Sequence, residues 1–257
     1  MRAPVSLTWW GHATTTIEID DVRVLTDPVL TRRLGHLSRI RGTKPATRAR
    51  AADIVAVSHL HGDHLHVPSM KLVPQTAQVV GPRGSQAVLG GAESRVREVV
   101  PGDVVERDGL TIRAVPADHD PRRHSRSRIS GPALGFIIER DGCRIWFAGD
   151  TALFEGMAEF GPVDLAVVPI GGWGPTLEPD KHMDPEHAAQ AVRLVGARYA
   201  VPMHYGTFWP TGLRHVHRPS FRRLFIEPAE RFRTAVEAIG AEPRVLQVGE
   251  TTRWPTT

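Results

Sequence analysis

The feature that most constrains this chain is a burst of imidazole and carboxylate side chains at the end of an apolar run. Val55-Ala56-Val57-Ser58 reads as the end of a buried strand, and His59, His61, Asp63, His64 and His66 follow within eight positions. Neutral imidazole nitrogens and a charged oxygen suit zinc or another borderline divalent ion, and Gly62 lets the backbone turn tightly between them. One ion could take His59 and His61, and a second Asp63 and His64. A lone histidine is more often a hydrogen-bonded core or surface residue, but His-x-His-x-Asp-His directly after an apolar strand weighs against that reading. His66 falls outside the pattern and is expected in a supporting or surface position.

The rest of the chain reads as a scaffold that gathers strand ends. Strand-like runs bounded by turn residues fall at Ser6–Trp9, Thr14–Ile19, Val22–Thr26, Asp53–Val57 and Gln78–Val80. More follow at Val96–Val100, Val104–Glu106, Leu110–Val115, Ala133–Glu139 and Arg144–Phe147. Helical patterns fit Arg83–Leu89, Phe154–Phe160, Pro185–Val195 and Pro228–Ile239. The helix at Pro185 has the clearest start: Asp184 as cap, Pro185 where a missing N–H costs nothing, and Glu186 facing the dipole. The stretch Thr31–Ala49 is a long excursion of the kind that often serves function. Two strand-rich halves with helices to either side predict an α/β fold, an αββα sandwich of two mixed sheets with helices on the outer faces.

A length of 257 residues allows one large domain or two small ones. No repeat or Gly/Ser linker divides the chain, so one domain over residues 1–257 is expected. No apolar run approaches the roughly 18 residues of a membrane span, and Met1-Arg2-Ala3-Pro4-Val5 lacks a signal-peptide stretch, which makes the cytoplasm the expected location. Cys143 is the only cysteine and sits in a strand-like run, where core packing is its expected role. The net charge is +4, and with Lys44, Lys71 and Lys181 the only lysines, the basicity is almost all arginine. Arg122, Arg123, Arg126 and Arg128 form a local cluster that is either an exposed polar loop or an anion-recognition loop.

His59-x-His61-x-Asp63-His64 resembles the signature of the metallo-β-lactamase superfamily. Within it the chain is most similar to the group containing the N-acylphosphatidylethanolamine-hydrolysing phospholipase D, and more distantly to the ascorbate-phosphate lactonase group. That similarity is carried by Trp9-Trp10-Gly11-His12-Ala13-Thr14, Leu25-Thr26-Asp27-Pro28, the histidine motif, Phe147-Ala148-Gly149-Asp150-Thr151, Pro169-Ile170-Gly171-Gly172, His182-Met183-Asp184-Pro185-Glu186 and His204-Tyr205-Gly206-Thr207-Phe208. The resemblance implies that His59, His61 and His119 hold a first metal, that Asp63, His64 and His204 hold a second, and that Asp150 bridges them. It also implies a pocket role for His182. Asp120 departs from the pattern, since the phospholipase group usually has an aromatic residue directly after the third histidine.

These residues together predict a metal-dependent hydrolase with two divalent ions, Zn2+ in the first place with Mn2+ or Fe2+ open. A metal-bridging hydroxide would attack while Asp63 orients it or passes a proton to the leaving group. His182 would contact a developing oxyanion or a phosphate oxygen, and His12 either supports a ligand or packs its loop. The expected substrate is a phosphodiester or another phosphate-containing ester, small or lipid-like and anionic, with Arg122, Arg123, Arg126 and Arg128 as its contacts. A lactonase or β-lactamase activity on a carbonyl is the alternative. A di-iron oxidoreductase would have glutamate at the position of His61. A nuclease or nucleic-acid-binding role is disfavoured, because no zinc knuckle or aromatic RNA-binding signature accompanies the arginines. Peripheral membrane contact and a homodimer stay open.

Overall fold

The computed structural model describes residues 5–42, 45–91, 94–171, 181–213 and 218–254. Gly172 and Lys44 therefore lie outside the described residues.

The first half is a succession of short strands: β1 (Val5–Trp9), β2 (Thr15–Ile19), β3 (Val22–Thr26), β4 (Arg33–Leu34), β5 (Leu37–Arg39), β6 (Ile54–Ala56), β7 (Gln78–Pro82) and β8 (Val96–Val99). The second half continues with β9 (Val104–Arg107), β10 (Leu110–Pro116), β11 (Leu134–Arg140), β12 (Cys143–Phe147), β13 (Leu165–Pro169), β14 (Tyr199–Met203), β15 (Phe208–Pro210), β16 (Glu242–Pro243) and β17 (Thr251–Trp254). Helices α1 (Val67–Met70), α2 (Ser85–Leu89), α3 (Pro185–Leu194), α4 (Arg218–Phe225) and α5 (Glu227–Ala238) are interspersed. None of the helices is long and apolar enough to cross a membrane among the described residues.

Among the described residues two seven-stranded sheets result, in the orders β17-β1-β2-β3-β6-β7-β8 and β16-β14-β13-β12-β11-β10-β9. Each is mixed: β3, β6, β7 and β8 run parallel, as do β12, β13, β14 and β16, while the remaining neighbours are antiparallel. One apolar cluster draws Leu7, Ile17 and Val24 from the first sheet and Ile112, Phe136 and Ile145 from the second, so the inner faces pack on each other. Helices α3 and α5 lie against β13, β14 and β16, and α2 lies against β8. The sandwich expected from the sequence is the fold observed.

The differences have physical causes. Every residue of β13 and β14 is buried, as parallel strands covered on both faces must be. Such runs lack alternation, and Pro169 and Pro202 within them argue against a strand, so sequence patterning passed over both. The helix expected from Arg83 begins at Ser85, because Gly84 at φ 93° is left-handed. Residues Glu155–Phe160 form a 3-10 turn rather than an α-helix. The Thr31–Ala49 excursion supplies β4 and β5, and β5 pairs with β15 to make a third small sheet.

Candidate metal centre

The strand order decides what meets at one end of the sandwich. His59 follows β6, His119 follows β10, Asp150 follows β12 and His204 follows β14. Strands β10 and β12 are each antiparallel to β11, and β14 is parallel to β13, which is parallel to β12, so all three second-sheet strands deliver their C-terminal ends to the same edge.

The seven residues expected as ligands converge there. His59 Nε2 lies 2.9 Å from His61 Nδ1, and His119 Nε2 lies 3.2 Å from the same atom. On the other side, Asp150 Oδ2 lies 3.2 Å from His64 Nε2 and 3.0 Å from His204 Nε2, with Asp63 Oδ2 at 3.6 and 3.7 Å from those nitrogens. Donor atoms fall into one group from His59, His61 and His119 and another from His12, Asp63, His64 and His204, while Asp150 groups with His59 and His64 and also with His119 and His182. Asp150 thus stands between the two sets.

The donors fit divalent cations. Asp150 Oδ1 is buried without a hydrogen-bond partner among the described residues, and His64 Nε2, though 3.2 Å from Asp150 Oδ2, is poorly aligned for a hydrogen bond to it, an arrangement that is costly unless a cation or water completes it. Electrostatics point the same way. Burial lowers the pKa of His59, His61 and His119, the last to about 4, which leaves three neutral imidazoles of the kind a metal requires. Burial also lowers His204, but the Asp150 and Asp63 carboxylates together more than offset it and raise the pKa to about 9. Burial is likewise outweighed at His64, which Asp150, Asp63 and Asp27 push well above the usual range. Asp150 and Asp63 are held well below the carboxylate range, their burial outweighed by the neighbouring histidines. In the metal-free chain, protons on His64 and His204 balance the carboxylates.

A second layer orients these side chains. Asp27 is fully buried, and its Oδ2 accepts from His64 Nδ1 at 2.7 Å and from Ser58 Oγ at 2.6 Å, while its Oδ1 accepts from Ser58 N–H at 2.7 Å. The Ser58 hydroxyl, having donated to Asp27, accepts from His59 Nδ1–H at 3.0 Å. In their neutral form both imidazoles are thereby held in the tautomer that turns a bare Nε2 to the centre. His119 is fixed in the same manner, since its Nδ1–H donates to Lys181 O at 3.1 Å. Gly149 permits this crowding: at φ 64° it adopts a backbone that other residues rarely take, and an added Cβ would sit 2.6 Å from Ser58 Cβ.

His12 is a supporting residue. It is buried at φ 55°, its ring lies 4.2 Å from that of His204, and its Nε2–H donates to Asp63 Oδ2 at 3.1 Å. Burial, followed by His204, lowers its pKa to about 4, so a neutral imidazole faces the carboxylate. His182 is half-buried with Nε2 3.6 Å from Asp150 Oδ2. The cap expected for α3 holds it there, with Asp184 Oδ1 accepting from His187 N–H at 2.8 Å. His66 bonds Ser69 at 2.8 Å and stays outside the donor groups.

The four arginines part company. Arg122 is exposed and forms a two-pronged pair with Asp120, at 2.9 and 2.6 Å. Arg123 is half-buried and donates to the backbone carbonyls of Leu60 and Leu65. Arg126 and Arg128 are exposed. Asp27 and Ser58 support the donor histidines, a role that the sequence did not assign to them although both stand in motifs named above. The available signal was a carboxylate directly after β3, the strand that runs parallel to β6 and so ends beside His59.

Comparison with known proteins agrees with this geometry. The family described as "Beta-lactamase superfamily domain" matches residues 22–205. A Methanopyrus kandleri protein described as a UPF0173 metal-dependent hydrolase is 31% identical over 256 residues, covering 95% of this chain and 97% of that one. An uncharacterized Mycobacterium tuberculosis protein, Rv0906, is 34% identical over 223 residues, which cover 79% of this chain but 59% of the relative's length. Among solved structures, Igni18, a metallo hydrolase from Ignicoccus hospitalis, superposes with a TM-score of 0.75 at 27% identity, covering 99% of this chain and 100% of that one. The chain belongs to the metallo-β-lactamase superfamily and, within it, to the UPF0173 metal-dependent hydrolase family.

Proposed function

We propose that this protein is a two-metal hydrolase acting on a phosphodiester or another phosphate-containing ester. The observation that carries the metal assignment is the position of Asp150, whose oxygens group with donors of both histidine sets. Divalent ions bound there, Zn2+ foremost given five imidazoles and two carboxylates, would supply Lewis acidity and a water of lowered pKa.

The chain's own groups do the rest. Asp63, held ionised and steadied by His12, can orient the attacking water or carry its proton to the leaving group. His182, beside Asp150 but anchored from the α3 cap, can donate to the oxygen on which negative charge develops. Arg126 and Arg128 are available for a phosphate, and the resemblance to phosphate-handling groups of the superfamily supports that substrate class.

A second reading has its own support. Arg122 is engaged by Asp120 and Arg123 by two carbonyls, which leaves fewer cations for an anion and favours attack on a lactone or other neutral carbonyl. Purified, metal-loaded protein assayed on phosphodiesters, phospholipids, nucleotides and lactones separates the two, with Asp150→Asn as the inactive control. The phosphate reading expects the best kcat/KM on a charged ester, and a higher KM for that ester alone in Arg126→Ala or Arg128→Ala. Best activity on neutral lactones, unimpaired in both variants, would refute it.

A further inference from the structure

Between β10 and β11 the chain makes a hairpin-like excursion that carries His119 at its start. Its two limbs are tied by an Arg122–Ser130 bridge, by Arg123 N–H to Ile129 O at 3.1 Å, and by Gly131 N–H to Pro121 O at 2.9 Å. Although both flanking strands belong to the second sheet, the hairpin rests on the first. Ile129 packs with the cluster containing Leu60, Leu65 and Met70, and an added Cβ at Gly131 would overlap Arg83 O at 1.8 Å. The hairpin is therefore a strap across the open end of the sandwich, from the sheet that supplies His119 to the sheet that supplies His59, His61, Asp63 and His64.

Arg123 is the pin of that strap. Its Nη1 donates to Leu65 O at 2.9 Å and to Leu60 O, the carbonyls immediately outside the His61–His64 turn. Within the turn, His64 N–H at 3.1 Å and Leu65 N–H at 2.9 Å close back onto His61 O. A guanidinium suits this task because one Nη carries two N–H bonds fixed in the guanidinium plane, which serve two acceptors at once. A carbonyl left without its partner in a half-buried position would cost free energy and loosen the turn.

We propose that Arg123 is a positioning residue that locks the His119 strap to the His61–His64 turn, and so fixes the spacing of the two donor sets, instead of contacting an anionic substrate. The consequence for metal rests on the two-metal reading above, whereas the consequence for loop rigidity does not. Outer-layer residues that orient metal ligands typically matter by about 10–100-fold in metal affinity, and that range is expected for Arg123→Ala.

The test measures three quantities in wild type, Arg123→Ala and Arg123→Lys, with Arg97→Ala, an exposed arginine of β8, as the charge-matched control. Hydrogen exchange of metal-free protein should show faster exchange at the amides of residues 61–65 in Arg123→Ala, a smaller increase in Arg123→Lys, and none in Arg97→Ala. Zinc competition against a chelator should show affinity weakened about 10–100-fold in Arg123→Ala. Turnover at saturating metal should fall by the same factor on charged and uncharged esters, with KM unchanged. If Arg123→Ala does not fold, Arg123→Lys decides on the same readouts. Unaltered exchange and zinc affinity, with KM raised on charged esters alone, would overturn the proposal. If the wild-type protein binds zinc but hydrolyses nothing, the hydrolase reading fails, and the exchange and affinity results still decide the role of Arg123.

Discussion

Replacing Asp27 with asparagine isolates a single proton in the metal centre. Asparagine keeps the shape of the side chain and tolerates φ 34°, so the backbone is not strained. Its amide has two placements, and both fail. With NH2 in the position of Oδ1, it confronts the Ser58 N–H that now donates at 2.7 Å. With NH2 in the position of Oδ2, it donates to His64 Nδ1, now 2.7 Å away, and forces the ring proton onto Nε2, the atom that must be bare to ligate. The lost interaction is a charge-assisted hydrogen bond within a fully buried group, about 1.5–3 kcal/mol. At 1.4 kcal/mol per factor of ten, that is roughly 10–150-fold in affinity for the metal held by His64. Two-site zinc titration with a competing chelator should show this loss at one site, with the His59–His61–His119 site affected less because Ser58 still meets His59. Two unchanged affinities in Asp27→Asn would refute the assignment of Asp27 as the residue that sets the His64 tautomer.

Other consequences follow from the same geometry. His182→Ala should lower kcat by roughly 10²–10³, the range for a donor to a developing oxyanion, while bound metal measured by elemental analysis stays at the wild-type level; equal loss of metal would make it a ligand. Asp184→Ala removes the α3 cap and should cost about 1 kcal/mol, a fall in Tm of roughly 2–4 °C by calorimetry. Metal loading at pH 7 should release protons, because His64 and His204 are protonated in the metal-free chain and must be neutral to ligate. The apparent metal affinity should therefore rise with pH from 7 towards about 9, the pKa of His204, and a binding enthalpy independent of buffer ionisation would contradict this.

The residues that converge on the candidate metal centre were legible in the sequence because they come as one dense motif after an apolar run or singly after strand-like or apolar runs, and chemistry at a strand end has few competing explanations. The outer layer was not. Asp27 stands in Leu25-Thr26-Asp27-Pro28, one of the motifs of the family resemblance, but the sequence assigned it no role, and only the parallel pairing of β3 with β6 brings it to Ser58 and His64. The arginine cluster shows the converse limit: composition left an exposed polar loop and an anion-recognition loop both open, because the contacts of Arg122 and Arg123 depend on Asp120 and on two carbonyls about 60 positions away in the chain. Alternation revealed the half-exposed strands and missed β13 and β14, whose uniform burial erases the pattern. The pairing of β17 with β1 joins the two ends of the described chain and left no local trace.

The central claim is that Asp150 joins two metal-donor sets, and metal stoichiometry tests it most directly. Protein stripped with chelator, reloaded with zinc and dialysed should carry two zinc ions per chain by elemental analysis, and Asp150→Asn should retain at most one. A wild-type content of one or none at saturation, or an Asp150→Asn variant that still holds two ions tightly, would contradict it.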